Sequence, residues 1–236
     1  MATLSVILIT KNEEVDLPTC LESVSFADEI IIVDNGSTDS TPEIAKKYNA
    51  KFFTEDWHGF GPQKNLSLSK ATCDWIFSID ADEVVSKKLA EEIQKTIANP
   101  VYCGYEISRA TTFCGKKVRF GDWGRDKVLR LFRRGRGEFT NDQLHERVIV
   151  KGMTGKLKHY MIHNSVSSIE DAKEKMVEYA KISAKGRKGS KFKAMTRAFW
   201  TFFRSYILRF GWLDGWTGFR VAQLCAKGTY LKYTFS

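Results

Sequence analysis

Short apolar runs alternate with helix-like segments over the first hundred positions of the chain. Such runs predict strands, and they fall at residues 4–9, 29–33, 51–54 and 75–79. The first, second and fourth runs are apolar at successive positions, which indicates burial on both faces, as in a parallel sheet. The order strand–helix–strand predicts an α/β domain with ligands at the carboxyl ends of the strands.

Helix signals lie between these runs. Ser86 precedes an apolar pattern of Leu89, Ile93 and Ile97, which fall on one helix face at intervals of four residues. The Thr-Pro pair at residues 41–42 predicts a second helix, with the threonine as N-cap and the proline at the first helical position. We therefore expect a mixed, mostly parallel sheet with helices on both faces.

The pattern changes after residue 100. Strand-like pieces at 128–132 and 147–150 are separated by glycine-rich turns, which predicts an irregular β region over the edge of the first sheet. The chain then becomes helical: residues 167–170, Ser-Ser-Ile-Glu, form a capping box, and apolar positions recur at helical spacing as far as residue 210.

Charge divides the chain at about the same place. The 236 residues carry a formal net charge of +9, yet residues 1–100 sum to −8 and residues 101–236 to +17. Residues 181–209 hold nine basic side chains and no acidic one. An acidic front half is not expected of a chain that wraps nucleic acid, so the split indicates two tasks on one chain.

Cysteine usage and the N-terminal pattern favour the cytoplasm. The five cysteines show no metal-ligand spacing, which suits reduced thiols. The first apolar run is too short for a signal peptide and has no basic flank, and no apolar stretch reaches about 18 residues. We expect a cytoplasmic protein.

Two carboxylates follow the fourth predicted strand, one residue apart. Asp80 and Asp82 lie in the segment 78–83, Ser-Ile-Asp-Ala-Asp-Glu, where they can converge on one point. Mg²⁺ and Mn²⁺ prefer oxygen ligands and keep open positions for substrate phosphate, so the pair predicts a divalent-cation site. The alternative is that both acids only cap the helix that follows Ser86.

Polar clusters also follow the first and second strands. Asp34 ends the second strand, where a carboxylate can accept a hydrogen bond from a base N–H or a ribose hydroxyl. Residues 10–14, Thr-Lys-Asn-Glu-Glu, follow the first strand. Each cluster has a structural alternative, since residues 35–39 are good turn formers and residues 10–14 can begin a helix. A single polar cluster at a strand end can arise by chance. Three such clusters at the ends of three parallel strands favour a shared functional site.

Four linked segments resemble the inverting family 2 glycosyltransferases with a GT-A fold. The order and spacing match at residues 9–14, 33–41, 59–65 and 74–83. The resemblance is to the lipopolysaccharide-core β-1,4-glucosyltransferase type, and it extends to residues 144–146 and 212–219. It implies a Rossmann-like GT-A domain over residues 1–165, made of a nucleotide-sugar half (1–100) and an acceptor half (101–165). Residues 166–236 would form a helical, membrane-associating extension.

The resemblance also implies a UDP-sugar donor and a Mg²⁺ or Mn²⁺ cofactor. The residues that it places around the nucleotide sugar are Thr10, Asn12, Glu13, Asp34, Lys64, Asp80 and Ala81. Asp82, with Asp80, would ligate the cation, which bridges the diphosphate and compensates charge on the departing UDP.

An inverting transfer further needs a base that takes the proton of the acceptor hydroxyl. The resemblance places this carboxylate downstream of the Asp-x-Asp motif, where residues 141–146 hold two acids and a histidine. Glu146 is the favoured base and Asp142 the second choice, because many family members carry a Glu-Asp pair at this point. The alternative for Glu146 is a surface ion pair with the following arginine. Arg130 and His145 are candidate contacts to phosphate or to an anionic acceptor.

The basic, aromatic-rich tail predicts contact with an anionic bilayer surface. The alternative is that its aromatic side chains pack as ordinary core. The leading hypothesis is an inverting glycosyltransferase at the cytoplasmic face of the inner membrane. It would transfer a hexose such as glucose from a UDP-sugar to a lipid-linked glycan of the lipopolysaccharide core or a related envelope polymer.

Three alternatives have distinguishing features. A polyprenyl-phosphate glycosyltransferase would share the front half but match the tail less well. A nucleotidyltransferase would open with a glycine-rich loop, and residues 10–14 contain no glycine. A non-enzymatic RNA- or membrane-binding module would leave the acidic clusters unexplained.

Overall fold

A computed structural model describes residues 2–124, 126–141, 146–166, 168–184 and 189–235. The chain forms two compact units. The first consists of Met1–Ser108 and Lys127–Ile162, and the second of Arg109–Asp126 and His163–Ser236. This division differs from the expected boundary at residue 165 in one respect, because Arg109–Asp126 groups with the C-terminal helices.

Four parallel strands form the first part of the main sheet, in the order β3-β2-β1-β4. Their bounds are β1 (Leu4–Thr10), β2 (Glu29–Asp34), β3 (Lys51–Thr54) and β4 (Trp75–Ser78). All four predicted strands are confirmed, within one residue at their ends. Thr10 of β1 and Asp34 of β2 are partners in the register, so the first two polar clusters meet at the carboxyl edge.

Beyond β4 the same sheet continues in the order β8-β6-β11-β5, with β8 antiparallel to β4 and β6 antiparallel to β8. The bounds are β5 (Glu83–Val85), β6 (Gly104–Phe113), β8 (Lys127–Arg133) and β11 (Thr154–Val166). The remaining strands are β7 (Lys116–Lys117), which pairs with β6, and β9 (Gly137–Phe139) and β10 (Val148–Val150), which pair with each other. The irregular β region expected over the edge of the sheet instead extends it. The reason is that Leu131 and Phe132 of β8 are both fully buried, one in each of two separate core clusters.

Helices cover both faces of the sheet, as predicted. They are α1 (Leu17–Ser23), α2 (Thr41–Lys47), α3 (Phe60–Ser69) and α4 (Lys87–Ala98). One core cluster joins Leu8 and Phe77 to side chains of α1, α2 and α4, and the other joins Ile7 and Ile76 to Leu68 of α3. Alternate strand residues therefore supply the two apolar layers.

The starts of two helices test the capping predictions. Ser86 caps α4 as predicted, since its hydroxyl accepts the backbone N–H of Leu89 at 3.3 Å. The prediction that Thr41 caps α2 is wrong by one position, because the helix already includes Thr41. The Thr41 hydroxyl instead accepts the N–H of Glu13 at 2.8 Å, while Asp39 Oδ1 accepts the N–H of Thr41 at 3.0 Å. Thr41 thus ties the loop after β1 to α2.

The second unit is largely helical. Its elements are α5 (Ile169–Ala184), α6 (Lys191–Phe203), a π-helical turn (Arg204–Leu208), a 3₁₀ turn (Gly211–Asp214) and α7 (Gly215–Lys232). A core cluster joins Phe113 and Val118 to Val166, Ala172 and Val221, which explains why 109–126 groups with this unit. The predicted capping box begins at Ser167, outside the described residues.

Two aspartates hold the turns of this unit together. Asp214 Oδ2 accepts the backbone N–H groups of Arg119 and Phe120, each at 2.9 Å. Asp122 pairs with Arg204 at 2.9 Å and with Arg209 at 2.5 Å. Among the helices within the described ranges, none combines the length and the apolar character needed to cross a bilayer.

Candidate active site

The turn after β4 carries the Asp-x-Asp motif at the carboxyl edge of the parallel strands. Glu83 shapes this turn, since its Oε2 accepts the backbone N–H of Asp80 at 2.9 Å and its own N–H donates to Asp80 O at 3.0 Å. Ala81 is buried and Asp82 is partly exposed. The local fold therefore presents Asp82 at the surface while it turns Asp80 toward neighbouring cations.

Asp80 lies between two basic side chains. Lys64 Nζ of α3 is 2.8 Å from Asp80 Oδ1, and the guanidinium of Arg130 on β8 hydrogen-bonds to Oδ2. Arg130 also donates to Glu83 Oε1 at 3.2 Å. Lys64 is 4% exposed, and Glu83 is fully buried at 0%. Charges this deep are tolerated because each has a partner of opposite sign.

These contacts fix the protonation states. Burial acts to raise the pKa of Asp80, but the charges of Arg130 and Lys64 and their hydrogen bonds outweigh it and hold that pKa far below the usual value. Burial likewise acts to lower the pKa of Arg130, while Asp80 and Glu83 raise it above its ordinary value. Asp80 and Arg130 are therefore charged throughout the neutral range.

Cys20 of α1 lies beneath the same turn, with Sγ 3.6 Å from the carbonyl oxygen of Asp80. Burial raises the pKa of the Cys20 thiol well above its ordinary value, and the nearby carboxylates Glu83 and Asp80 raise it further. A thiol held neutral in this way is a poor nucleophile, so Cys20 acts as core packing under the motif.

Lys64 joins the motif to the predicted base. Its Nζ lies 2.6 Å from Glu146 Oε1, and the Glu146 side chain is largely buried. The structure therefore brings together Lys64, Asp80 and Glu146, three of the residues predicted for the site. Asp142 and His145, predicted as alternative base and as acceptor contact, lie outside the described residues.

Helix α3 is fastened to the strand that leads toward Glu146. Asn65 Nδ2 donates to Phe139 O and Asn65 Oδ1 accepts the Phe139 N–H, both at 2.9 Å. At Gly61 the backbone of residue 140 approaches so closely that a Cβ atom would lie 1.9 Å from Thr140 O. A glycine is required there because any side chain would collide with backbone. The contacts between α3 and residues 139–140 thus hold Lys64 close to the segment that leads to Glu146.

A second group of predicted residues meets where β1 and β2 end. Asp34 is buried, and its Oδ1 accepts the hydroxyls of Thr10 at 2.8 Å and Ser37 at 2.6 Å, while Oδ2 accepts the Ser37 N–H at 2.7 Å. These bonds occupy three of the four acceptor positions of the carboxylate. The cluster retains acceptor capacity on Oδ2.

Asn12 and Glu13 build the loop beside this cluster. Asn12 Oδ1 accepts the Thr38 N–H at 2.9 Å, and the backbone N–H of Asn12 donates to Ser37 Oγ at 2.8 Å. Asn12 has φ of 55°, a left-handed conformation that asparagine tolerates better than most residues. The turn-forming character noted in residues 35–39 therefore coexists with a loop held by several polar hydrogen bonds.

The carboxylates around the Asp-x-Asp turn bear on the predicted cation site. Within the described parts of the chain, no group of three or more His, Cys, Asp or Glu side chains is arranged to hold a metal ion. Both oxygens of Asp80 are paired with cations, whereas Asp82 is partly exposed at the same turn. Mg²⁺ is often held by one or two carboxylates together with substrate phosphates and water, and a single protein carboxylate is compatible with that arrangement.

Two contributors to the site, Glu83 and Asn65, were given no role in the sequence analysis, and a third, Arg130, makes contacts that were not predicted. Glu83 and Asn65 lie inside the segments that carry the resemblance, but no pattern assigned them a role. Arg130 was expected to contact phosphate or acceptor, and the structure places it, largely buried, against Asp80 and Glu83. A third acid directly after the motif was the only sequence signal for Glu83. Its burial distinguishes it from Asp82, and the spacing of residues does not predict burial.

Comparison with known proteins agrees with this geometry. Residues 5–155 match the family Glycosyl transferase family 2. The chain is 31% identical over 250 residues to an uncharacterized glycosyltransferase of Rickettsia typhi, covering 98% of this chain and 86% of that protein. It is 34% identical over 169 residues to the lipopolysaccharide core biosynthesis glycosyltransferase LpsC of Rhizobium meliloti, covering 66% of this chain and 63% of LpsC.

The fold also has solved counterparts. The crystal structure of S. aureus TarS 1–349 superposes with a TM-score of 0.50 at 18% sequence identity, over 89% of this chain and 74% of that one. This similarity concerns the fold, which is the GT-A arrangement expected from the four linked segments. Because the family match covers more than half of the chain and the Rickettsia typhi relative covers 98% of it, the chain belongs to glycosyltransferase family 2.

Proposed function

We propose that this protein is an inverting glycosyltransferase that transfers a hexose such as glucose from a UDP-sugar to a lipid-linked glycan of the lipopolysaccharide core or a related envelope polymer. The family membership supports glycosyl transfer, and the similarity to LpsC supports this acceptor class. One observation carries the proposal: Lys64 links the motif residue Asp80 to the carboxylate Glu146, at distances of 2.8 and 2.6 Å.

The donor would occupy the carboxyl edge of β1, β2 and β4. Asp34 has acceptor capacity left on Oδ2 for a uracil N–H or a ribose hydroxyl, with Thr10 and Asn12 beside it. Lys64 would approach the diphosphate, because a buried ammonium is attracted to phosphate charge. Asp80, held in place by Lys64 and Arg130, would face the ribose.

A divalent cation, Mg²⁺ or Mn²⁺, would be held by Asp82 together with diphosphate oxygens. When bound it would neutralise the charge that develops on the leaving UDP. Because the leaving group is already a phosphate anion, no side chain needs to protonate it. The role left to the protein is to remove a proton from the acceptor.

Glu146 would supply that base. Its Oε1 lies 2.6 Å from Lys64 Nζ, and its carboxylate would accept the proton of the acceptor hydroxyl. As the acceptor oxygen bonds to the anomeric carbon, the bond from that carbon to the UDP phosphate breaks, and the acceptor proton passes to the Glu146 carboxylate. Attack opposite the leaving group inverts the anomeric configuration.

A lipid-linked acceptor would bring the enzyme to a membrane surface. We place it in the cytoplasm, peripheral to the cytoplasmic face of the inner membrane, because UDP-sugars are cytoplasmic donors and the C-terminal unit is basic. Arg130 and His145 stay candidate contacts to phosphate or acceptor, although the pairing of Arg130 with two acids favours a supporting role for it.

The decisive experiment is a panel of UDP-sugars assayed by UDP release, with Mg²⁺, with Mn²⁺ and with EDTA. S. aureus TarS was crystallised with UDP-GlcNAc, so the panel includes that donor beside UDP-glucose and UDP-galactose. We expect metal-dependent release with one donor, stimulated by a lipid-linked core oligosaccharide. Failure of every nucleotide sugar would overturn the proposal, and stimulation by polyprenyl phosphate alone would reassign the acceptor.

A further inference from the structure

The most exposed apolar surface of the second unit runs along α6. Phe192 and Phe199 are 78% and 72% exposed, and Met195, Trp200 and Phe203 are also exposed. Isolated exposed apolar residues are common on proteins, but a contiguous series of large ones marks an interaction surface.

Helical spacing puts these side chains on one face. Residues 192, 195, 199 and 203 follow one another at intervals of three and four, the repeat that aligns side chains along a helix. Phe203 packs against both Phe199, with ring centroids 6.4 Å apart, and Trp200, at 6.1 Å. The opposite side of the helix is the packed one, since Ala194 is buried there. We call the exposed series the α6 apolar face.

The apolar surface continues past the end of the helix. The residues after Phe203 that expose large apolar side chains are Ile207, Leu208, Phe210, Trp212, Leu213 and Trp216. The π-helical and 3₁₀ turns that carry most of them are anchored by Asp122 and Asp214 to the rest of the unit. The series is therefore held in place by its own unit, although its side chains lie open to solvent.

Basic side chains border the α6 apolar face on both sides. Lys191 lies about 100° before Phe192 around the helix axis and Lys193 about 100° after it on the other flank, while Arg197 lies further round the helix. All three are exposed. From Lys191 to Leu213 the sequence contains no acidic residue. An apolar face with a cationic border matches the cross-section of a helix that lies in the interface of an anionic bilayer.

We propose that the α6 apolar face, with the turns that follow it, inserts into the headgroup region of a lipid surface rich in anionic phospholipids. The helix would lie parallel to the membrane plane, because α6 has 13 residues and a strongly charged border. This inference deepens the proposed function, since it names the surface that would bring the enzyme to a lipid-linked acceptor. A second copy of the chain is the competing occupant.

The vesicle test does not depend on catalysis. Purified full-length protein is sedimented with vesicles of phosphatidylcholine alone or with 30% phosphatidylglycerol, without donor or acceptor. We expect at least tenfold stronger binding to the anionic vesicles, weakened by 0.5 M salt because screening reduces attraction between exposed charges. Equal binding to both vesicle types, or none, overturns the proposal.

Variants locate the contact. Phe192→Ser with Phe199→Ser should reduce vesicle binding at least tenfold, and Lys193→Glu with Arg197→Glu should do the same. The matched control is Val15→Ser with Val101→Ser, which removes two equally exposed apolar side chains from the first unit and should leave binding unchanged. If the control pair weakens binding as much as the α6 pair, the α6 apolar face is not the contact.

Two further readouts separate this proposal from its competitors. Brominated lipids should quench tryptophan fluorescence in the wild type and not in the Phe192→Ser, Phe199→Ser variant. Dimers in light scattering that this variant abolishes, without vesicle binding by the wild type, would assign the face to a second copy. Transfer to a water-soluble acceptor should persist in the variant, so loss of vesicle binding and failure of the proposed reaction are distinguishable.

Discussion

The Nζ atom of Lys64 lies 2.6 Å from Oε1 of Glu146, although 82 residues separate the two in sequence. The same ammonium is 2.8 Å from Asp80 Oδ1, so one buried cation bridges the motif and the proposed base. A diphosphate arriving at Lys64 would compete with both carboxylates for that charge. The bridge thereby offers a way for donor binding to release Glu146 for the acceptor.

Removing this cation should affect both binding and stability. Lys64→Met would leave Asp80 and Glu146 without their shared partner, and we expect the free energy of unfolding to fall by about 2–4 kcal/mol. UDP affinity should fall at least tenfold in calorimetry. Lys70→Met, which removes a surface partner of Glu55, is the control and should change stability by less than about 1 kcal/mol. Wild-type UDP affinity in Lys64→Met would contradict the donor assignment.

Glu146→Gln tests the base. The amide keeps an acceptor for Lys64 but cannot take up a proton, so transfer should fall at least 10³-fold while UDP affinity changes by less than about threefold. Single-turnover transfer and UDP titration measure the two effects. If Asp142→Asn abolishes transfer and Glu146→Gln does not, the base is Asp142.

Arg130 is expected to act through Asp80 and Glu83. Arg130→Met would remove a cationic partner of the buried Glu83, and we expect a loss of about 3–5 kcal/mol in urea unfolding. Adding Glu83→Gln, which removes the buried negative charge and keeps an acceptor for the Asp80 N–H, should recover at least half of that loss. Arg136→Met, at an exposed position, should be nearly neutral. If the double variant is no more stable than Arg130→Met, the loss of the Arg130–Glu83 ion pair does not explain the lower stability.

Gly61→Ala tests whether the close contact between α3 and residue 140 is needed to position the proposed base. In Gly61→Ala the new Cβ would collide with Thr140 O, so α3 and residue 140 must separate. We expect a stability loss of about 2–4 kcal/mol and a fall in kcat larger than the change in UDP affinity. Gly228→Ala in α7 is the control, because its Cβ would meet only the flexible end of Met176 at 3.2 Å. A normal kcat in Gly61→Ala would show that catalysis does not depend on the contact between Gly61 and Thr140.

The low pKa of Glu29, a residue outside the candidate site, predicts that the free energy of unfolding depends on pH. Burial acts to raise its pKa, but hydrogen bonds from Lys51, Ser5 and Thr72 lower it to about 2, from 4.5. A depressed pKa means that Glu29 stabilises the fold above about pH 4.5 and loses this contribution as the pH falls from there toward 2. The contribution at neutral pH is about 3 kcal/mol.

Glu29→Gln should therefore lower the free energy of unfolding by about 2–3 kcal/mol at pH 7, with the gap to wild type closing toward pH 2. Urea unfolding at pH 7, 4 and 3 measures the gap. Glu29 lies at the amino end of β2, so UDP affinity should not change. Glu43→Gln, at an exposed position on α2, should stay within about 0.5 kcal/mol at every pH. A gap that is constant with pH would refute the assigned pKa.

Much of the fold was predictable because its signals are local. The four parallel strands and the helix capped by Ser86 follow from apolar runs and spacing, which depend only on neighbours along the chain. The placement of β8 did not follow, because strand order depends on which partner buries Leu131 and Phe132 best. The one-residue error at Thr41 has a similar origin: its hydroxyl is used by Glu13, 28 residues earlier.

The family, the sheet with helices on both faces, and the convergence of Thr10, Asp34 and Asp80 at one edge were all predictable from the order of residues, since the carboxyl ends of parallel strands lie at the same edge of a sheet. The tertiary structure, by contrast, shows that Asp80 of the Asp-x-Asp motif is paired with Lys64 and Arg130, while Asp82 is partly exposed. It also decided that Glu83 is buried, and that the aromatic side chains of α6 face outward. Burial and ion pairing depend on contacts between residues distant in sequence, and the spacing of residues along the chain does not predict those contacts.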